Sequence, residues 1–233
     1  MEWFGDVEPL LGPHKPDELV EYKEARTEYE IRANWKIVVE NYIDVYHLAH
    51  LHSGTLAMYD HAKAEYQFVG PHYAFSEPPS EDYAADLENN AATPLILPPD
   101  QARAYVPMLF PGIGLAASET DWATFIITPL APDRTRVENR ARVADVSAWE
   151  FTKQSWRSAA FWSKQIKPKY ESDGHDHDDP MASGDFTQED IYACEQQQKS
   201  LQSPYCEVGP AAVGEGPVLA HQKVVLDYME ARA

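Results

Sequence analysis

Three imidazoles and two carboxylates fall within the thirteen residues Glu40-Asn41-Tyr42-Ile43-Asp44-Val45-Tyr46-His47-Leu48-Ala49-His50-Leu51-His52. Imidazole is the commonest side-chain ligand of first-row metals, so this stretch is the first place to look for metal chemistry. A polar helix end carrying exposed histidines has the same spacing. On an ideal helix each residue turns ~100°, so His47 and His52 point ~140° apart and reach one ion only if the helix distorts or ends between them. Asp44 and His47, three apart, diverge by only ~60°, which puts Asp44 behind the His47 ring as an orienting carboxylate.

The other candidates are weaker. His175-Asp176-His177-Asp178-Asp179 alternates ligand types in a polar stretch and reads as a solvated surface tract. His50 reads as local structure, and Trp156, Phe161 and Trp162 as helix core. Asp185, Glu189 and Asp190 are carboxylates around the start of an expected helix, where Thr187-x-x-Asp190 also reads as a capping box. Cys194 and Cys206 form no disulfide framework and are read as free thiols.

Asn34-Trp35-Lys36 followed by Glu40-Asn41-Tyr42-x-Asp44-x-Tyr46-His47 and, four residues later, His52 resembles the mononuclear-iron motif of Rieske non-haem iron oxygenases. The likeness continues through Phe110-Pro111-Gly112, Ile127-Thr128-Pro129-Leu130, Glu189-Asp190-Ile191 with Cys194-Glu195-Gln196-Gln197, and Glu215 before a terminal helix. The resemblance implies the catalytic domain of an α subunit, lacking its Rieske domain. It implies an α+β helix-grip (Bet v 1/START-like) fold, with a curved antiparallel sheet wrapped around a long C-terminal helix. By the same resemblance His47, His52 and Asp190 are ligands of a mononuclear Fe(II), with Glu189 and Asp185 the competing carboxylates. Asp44 resembles the family's catalytic aspartate, which bridges to a cluster histidine of a neighbouring subunit.

The Cys-x-His and Cys-x-x-His pairs of a Rieske [2Fe–2S] cluster do not occur in this sequence. The cluster is therefore expected on a separate or missing domain, with residues 1–30 an irregular lead-in and 31–233 the iron domain. The implied reaction is O2-dependent mono- or dioxygenation of a small organic, conceivably aromatic, substrate. Electrons would come from a Rieske domain or ferredoxin and a reductase, and the assembly implied is a homotrimer. Two other classes stay open: a non-catalytic helix-grip binder of an apolar ligand, and a zinc or iron hydrolase, for which no motif supplies a general base.

Several elements must position these groups. Trp35, Val38, Val39, Tyr42, Ile43 and Tyr46 recur at three- and four-residue steps and predict a helix from Asn34. Val20 to Ile31 alternates like a strand. Glu65 to Phe75 and Tyr105 to Ala144 are rich in β-branched and aromatic residues and predict an antiparallel sheet, with a hairpin turning through Pro129-Leu130-Ala131-Pro132-Asp133. Pro78 to Pro99 reads as a surface excursion, Ser147 to Ile166 as a helix, Thr187 to Leu201 as a helix capped by Thr187, and Pro217 to Met229 as the last helix. Tyr73, Phe75, Leu109 and Phe110 are candidate substrate lining.

The 233 residues carry 19 basic and 38 acidic side chains, a formal charge of −19. Phosphate binding needs a concentrated basic surface, so nucleic acid is excluded as a partner. No run of roughly 18 apolar residues is present, and the first residues lack the basic and apolar regions of a signal peptide, so the expected setting is cytoplasmic and not membrane-bound.

Overall fold

The computed structural model describes residues 5, 7–90, 95–153, 179–207 and 209–231. Seven strands pair antiparallel in one open sheet of order β1-β7-β6-β5-β4-β3-β2: β1 (Leu19–Ile31), β2 (Glu65–Val69), β3 (His72–Glu77), β4 (Ala104–Leu109), β5 (Ile113–Ala117), β6 (Trp122–Ala131) and β7 (Arg134–Ala144). Among the described residues it is accompanied by α1 (Trp35–Ile43), α2 (Leu48–Leu51), α3 (Glu81–Asn90), α4 (Phe186–Leu201) and α5 (Gly216–Glu230), and residues 148–153 are helical as well. The β6–β7 hairpin turns at Pro132-Asp133, and its register shifts between Pro129 and Ala131. Pro129 has no N–H to give the ladder, which suits it to an irregular position.

Strand alternation sends side chains to two cores. Tyr73, Phe75, Met108, Ile127 and Val137 face α1, where Ile37, Val38, Val39 and Ile43 are buried against them. Ala74, Leu109, Leu115, Ala117 and Trp122 face the other side and are covered by Leu10 from the lead-in. Leu109 is thereby turned away from α1. Each fully buried aliphatic side chain contributes about 1.5–3 kcal/mol. That burial holds α1 helical although its β-branched residues are indifferent helix formers.

Asn34 caps α1, its side chain accepting from Lys36 N at 3.1 Å. Tyr42 pins the helix to the sheet: its hydroxyl donates to Leu115 O, and its ring lies where a Cβ on Gly114 would be, 2.8 Å from Cζ. The C-terminal helix α5 packs on α1, with Gln222 Nε2 donating to Glu40 Oε1 at 3.2 Å. It reaches the sheet at Phe110, whose ring stacks on Tyr228 at 5.1 Å. Helix α1 in turn packs on β3, β4, β6 and β7.

Two expectations need correction. Pro78 to Pro99 is not only a surface excursion, because α3 forms within it and buries Tyr83 and Leu87 beside Met58. Two apolar residues four apart in an acidic stretch are enough for one buried stripe. Helix α4 is capped not by Thr187 but by Asp185, whose carboxylate accepts from Thr187 N at 2.9 Å. Of the helix expected over Ser147–Ile166, residues 154–166 lie outside the described ones, as do Trp156, Phe161, Trp162 and the tract up to Asp178.

Candidate metal centre

Helix α1 ends at Ile43, and Asp44, its C-cap, leaves helical geometry. The turn that follows is held by the Asp44 side chain: Oδ1 accepts from Tyr46 N at 3.0 Å and Oδ2 from His47 N at 3.1 Å. His47 and His52 then flank the four-residue α2 as its N-cap and C-cap. This break removes the conflict an unbroken helix would create, and the two rings lie 5.1 Å apart, centroid to centroid. The third member arrives from the first turns of α4. There the positive end of the helix dipole favours carboxylates, and the adjacent Glu189 and Asp190 point in different directions.

His47, His52 and Asp190 each offer one ligand atom, and these atoms lie within 4.8 Å of one another. Asp190 Oδ1 is 3.0 Å from His52 Nε2 and 3.6 Å from His47 Nε2, and it accepts from Asn41 Nδ2 at 2.8 Å. Ligand atoms bound ~2.1 Å from one first-row ion at right angles sit ~3 Å apart, close to the 3.0 and 3.6 Å that separate Asp190 Oδ1 from the two imidazoles, and two imidazoles with one carboxylate are a donor set such an ion takes.

Behind each ring stands another carboxylate. Asp44 Oδ2 is 3.3 Å from His47 Nδ1, and Glu189 Oε2 is 2.7 Å from His52 Nδ1 and accepts from Thr55 Oγ1 at 2.7 Å. The pairs differ in setting: the side chains of His47 and Asp44 are each 17% exposed, those of His52 and Glu189 1% and 0%.

The electrostatics follow from this ring of acids. Burial works against a charged His47, but the carboxylates of Asp190 and Asp44 outweigh it and push its pKa up to about 9. Burial likewise opposes ionisation of Asp190, yet hydrogen bonds and charge from His47 and His52 hold its carboxyl well below the usual carboxylate range. Asp44 is lowered in the same way, burial being overcome by His47 and the backbone N–H groups of Tyr46 and His47. Beside His47 and Asp44 opens a groove of about 530 Å³, lined also by Glu40, Tyr46, His50 and Gln197.

The residues singled out in the sequence therefore separate. His47, His52, Asp190 and Asp44 come together, and Asp185 is spent on capping α4. His50 is exposed at the groove, its ring 5.0 Å from Tyr46. Tyr73 and Phe75 lie in the core beneath α1, and Cys194 (buried) and Cys206 (exposed) are free thiols. Two contacts escaped the sequence reading: Asn41 to Asp190, and His52 through Glu189 to Thr55. Two adjacent acids on one helix, and a threonine three residues after a histidine, were the only signals of the second.

An open antiparallel sheet whose covering helices bring two histidines and one carboxylate to a point defines an α+β domain with a possible metal site. Residues 19–231 match the family described as ring hydroxylating alpha subunit (catalytic domain), and the chain belongs to that family. It is an oxidoreductase family whose catalytic domain carries mononuclear non-haem iron. No curated protein sequence matches this one significantly.

Among solved structures, the quaternary ammonium Rieske monooxygenase CntA with an inhibitor superposes with a TM-score of 0.61 at 14% identity, over 91% of this chain and 50% of that one. Dicamba monooxygenase with 3,6-dichlorosalicylic acid gives 0.55 at 15%, over 93% and 61%. Naphthalene 1,2-dioxygenase from Rhodococcus sp. with indole gives 0.55 at 17%, over 89% and 51%. The chain thus spans about half the length of the CntA chain, and at these identities the likeness is one of fold. Among the described residues, no helix is long and apolar enough to cross a membrane.

Proposed function

We propose that this chain is the iron-binding catalytic domain of a Rieske-type oxygenase and hydroxylates a small organic substrate with O2, with His47, His52 and Asp190 holding a mononuclear Fe(II). The observation that carries the reading is the convergence of those three side chains in a chain of this family. His47, His52 and Asp190 would hold the ion through two imidazoles and one carboxylate, and Fe(II) so held would supply the activation of O2.

The chain's own residues then have defined tasks. Asn41 fixes the Asp190 carboxylate by donating to Oδ1. Asp44 accepts at His47 Nδ1 and turns Nε2 toward Asp190. Being part of the groove wall, Asp44 is also open to a histidine of a [2Fe–2S] cluster carried on a separate or additional domain. That is how electrons would arrive from a ferredoxin or reductase. A solved CntA structure is described as giving insight into inter-subunit electron transfer, which supports a neighbouring subunit, as in a homotrimer, as the source. We read the sheet and its helices as a helix-grip arrangement in which α1 shares the covering role with α5. The relatives bind L-carnitine, dicamba and indole, a range that keeps the substrate class at small organic molecules.

Iron content of the purified protein tests the reading. The wild type should retain iron, while His47→Ala and His52→Ala should lose it with their circular dichroism unchanged. Retention at the wild-type level in both variants would refute the assignment, and zinc in place of iron would favour hydrolysis.

A further inference from the structure

Glu189 has no task in the function proposed above, yet its placement is unusual. It is wholly buried beside Asp190, whereas Glu195 on the same helix pairs with Arg32 and Asp185 caps the helix. Both hydrogen bonds it receives, from His52 Nδ1 and Thr55 Oγ1, fall on the single oxygen Oε2, at 2.7 Å each. Its second oxygen, Oε1, is buried with no hydrogen-bond partner among the described residues. No Lys or Arg among the described residues pairs with it; its one ion-pair contact is His52.

A buried carboxylate without a cationic partner costs several kcal/mol, so a residue of this kind persists where its charge is offset. Among the described residues the offset comes along the hydrogen bond into the His52 ring, whose other nitrogen faces Asp190 and His47.

We infer that Glu189 is a positioning residue of the metal centre: its sealed carboxylate, steadied by Thr55, fixes the His52 ring with Nε2 toward Asp190 and strengthens that nitrogen as a donor to a divalent cation. The two histidines are then backed unequally. Asp44 holds His47 from a groove wall at 3.3 Å, within reach of another molecule, whereas Glu189 holds His52 from inside the core at 2.7 Å, out of reach of any. Loss of a carboxylate behind a metal-bound imidazole typically costs ~10–100-fold in metal affinity. The shorter, fully buried contact puts Glu189 toward the upper end of that range.

This inference rests on the metal-site reading above, and the test separates the two. Co(II), which takes the same donor types, is titrated anaerobically into the wild type, Glu189→Gln, Thr55→Val and His47→Ala, following the visible Co(II) bands and checking the fold by circular dichroism. Glu189→Gln keeps the shape and removes the charge. The expected result is a dissociation constant raised ~30–100-fold with altered Co(II) bands, and a rise of a few-fold in Thr55→Val, which loses one of the two hydrogen bonds.

If Glu189→Gln melts earlier but binds Co(II) as the wild type does, Glu189 is core packing and the inference fails while the metal site stands. If Glu189→Gln does not fold, wild-type affinity in Thr55→Val overturns the inference just as well. Failure of the wild type to bind Co(II) more tightly than His47→Ala refutes the metal site and the inference with it.

Discussion

Replacing Asp44 by Asn tests the turn that joins α1 to the metal centre. The carboxylate serves three N–H groups through two oxygens: Tyr46 N on Oδ1, and His47 N and Nδ1 on Oδ2. An amide has one acceptor oxygen. Turned toward His47 it keeps two contacts and sets its NH2 against Tyr46 N–H; turned the other way it keeps one. The first arrangement loses least, and because Tyr46 is exposed its N–H regains water. The stability cost is therefore about 0.5–1.5 kcal/mol. The His47 ring loses a charged acceptor that is 3.3 Å away and partly exposed, so Fe(II) affinity should fall ~10-fold, near the lower limit for such losses. Urea melts of the metal-free protein and anaerobic Fe(II) titration read the two effects. Unchanged affinity, or a loss well beyond 100-fold, would refute the orienting role drawn from this geometry. With a Rieske partner supplied, turnover should fall by more than the iron affinity explains if Asp44 also carries the electron route.

Two further predictions follow from packing and burial. A Cβ at Gly114 would lie 2.8–3.1 Å from Tyr42 ring atoms, and the hydroxyl bonded to Leu115 O keeps that ring from moving aside. Gly114→Ala should cost about 1–3 kcal/mol in a urea melt, and an unchanged midpoint would count against Tyr42 as the pin of α1. His221, buried against Phe110 with Nε2 unpartnered among the described residues, has its pKa pushed down by burial to about 4. Its unfolded form takes up a proton near pH 6.5 and its folded form only near 4. The His221 contribution to stability should therefore be fully present above pH 6.5 and fall by about 2–3 kcal/mol as pH drops from 6.5 to 4, whereas His47, raised to about 9, acts in the opposite sense and its contribution is lost as pH rises from 6.5 to 9. That fall should appear as the difference in pH dependence between the wild type and His221→Phe, because His14, Glu40, Glu119 and Asp121, which burial also shifts, titrate in both proteins; an unaltered slope would show that His221 is not the group titrating.

The elements that position the centre were legible where one residue pattern had one structural meaning. The apolar spacing of α1 and the β-branched and aromatic runs of β4 to β7 each fit one kind of element, so periodicity located the helix and composition the strands. The pairing of His47 with Asp44 was legible for the same reason, since three residues separate them. Contacts that depend on long-range docking were not. Nothing local says that Asp190 meets the Nε2 atoms of both histidines while Glu189 goes behind the His52 ring; that follows from the ~100° between neighbours on α4 and from how α4 lies against α1. Nor does Thr187 reveal that Asp185, two residues earlier, already satisfies the helix N-terminus. Helix α3 was missed because its composition is acidic and, among its described side chains, Tyr83 and Leu87 alone are buried, too few for a periodic signal.

The central claim is that His47, His52 and Asp190 act together on one iron. Anaerobic titration of Fe(II) into the wild type and Asp190→Ala tests it most directly, because Asp190 lies far from the histidine stretch in sequence and joins it only through the fold. The account predicts about one equivalent of tightly bound Fe(II) in the wild type and no tight binding in a folded Asp190→Ala, as expected when a three-residue donor set loses its only anion. Wild-type stoichiometry and affinity in Asp190→Ala would contradict it.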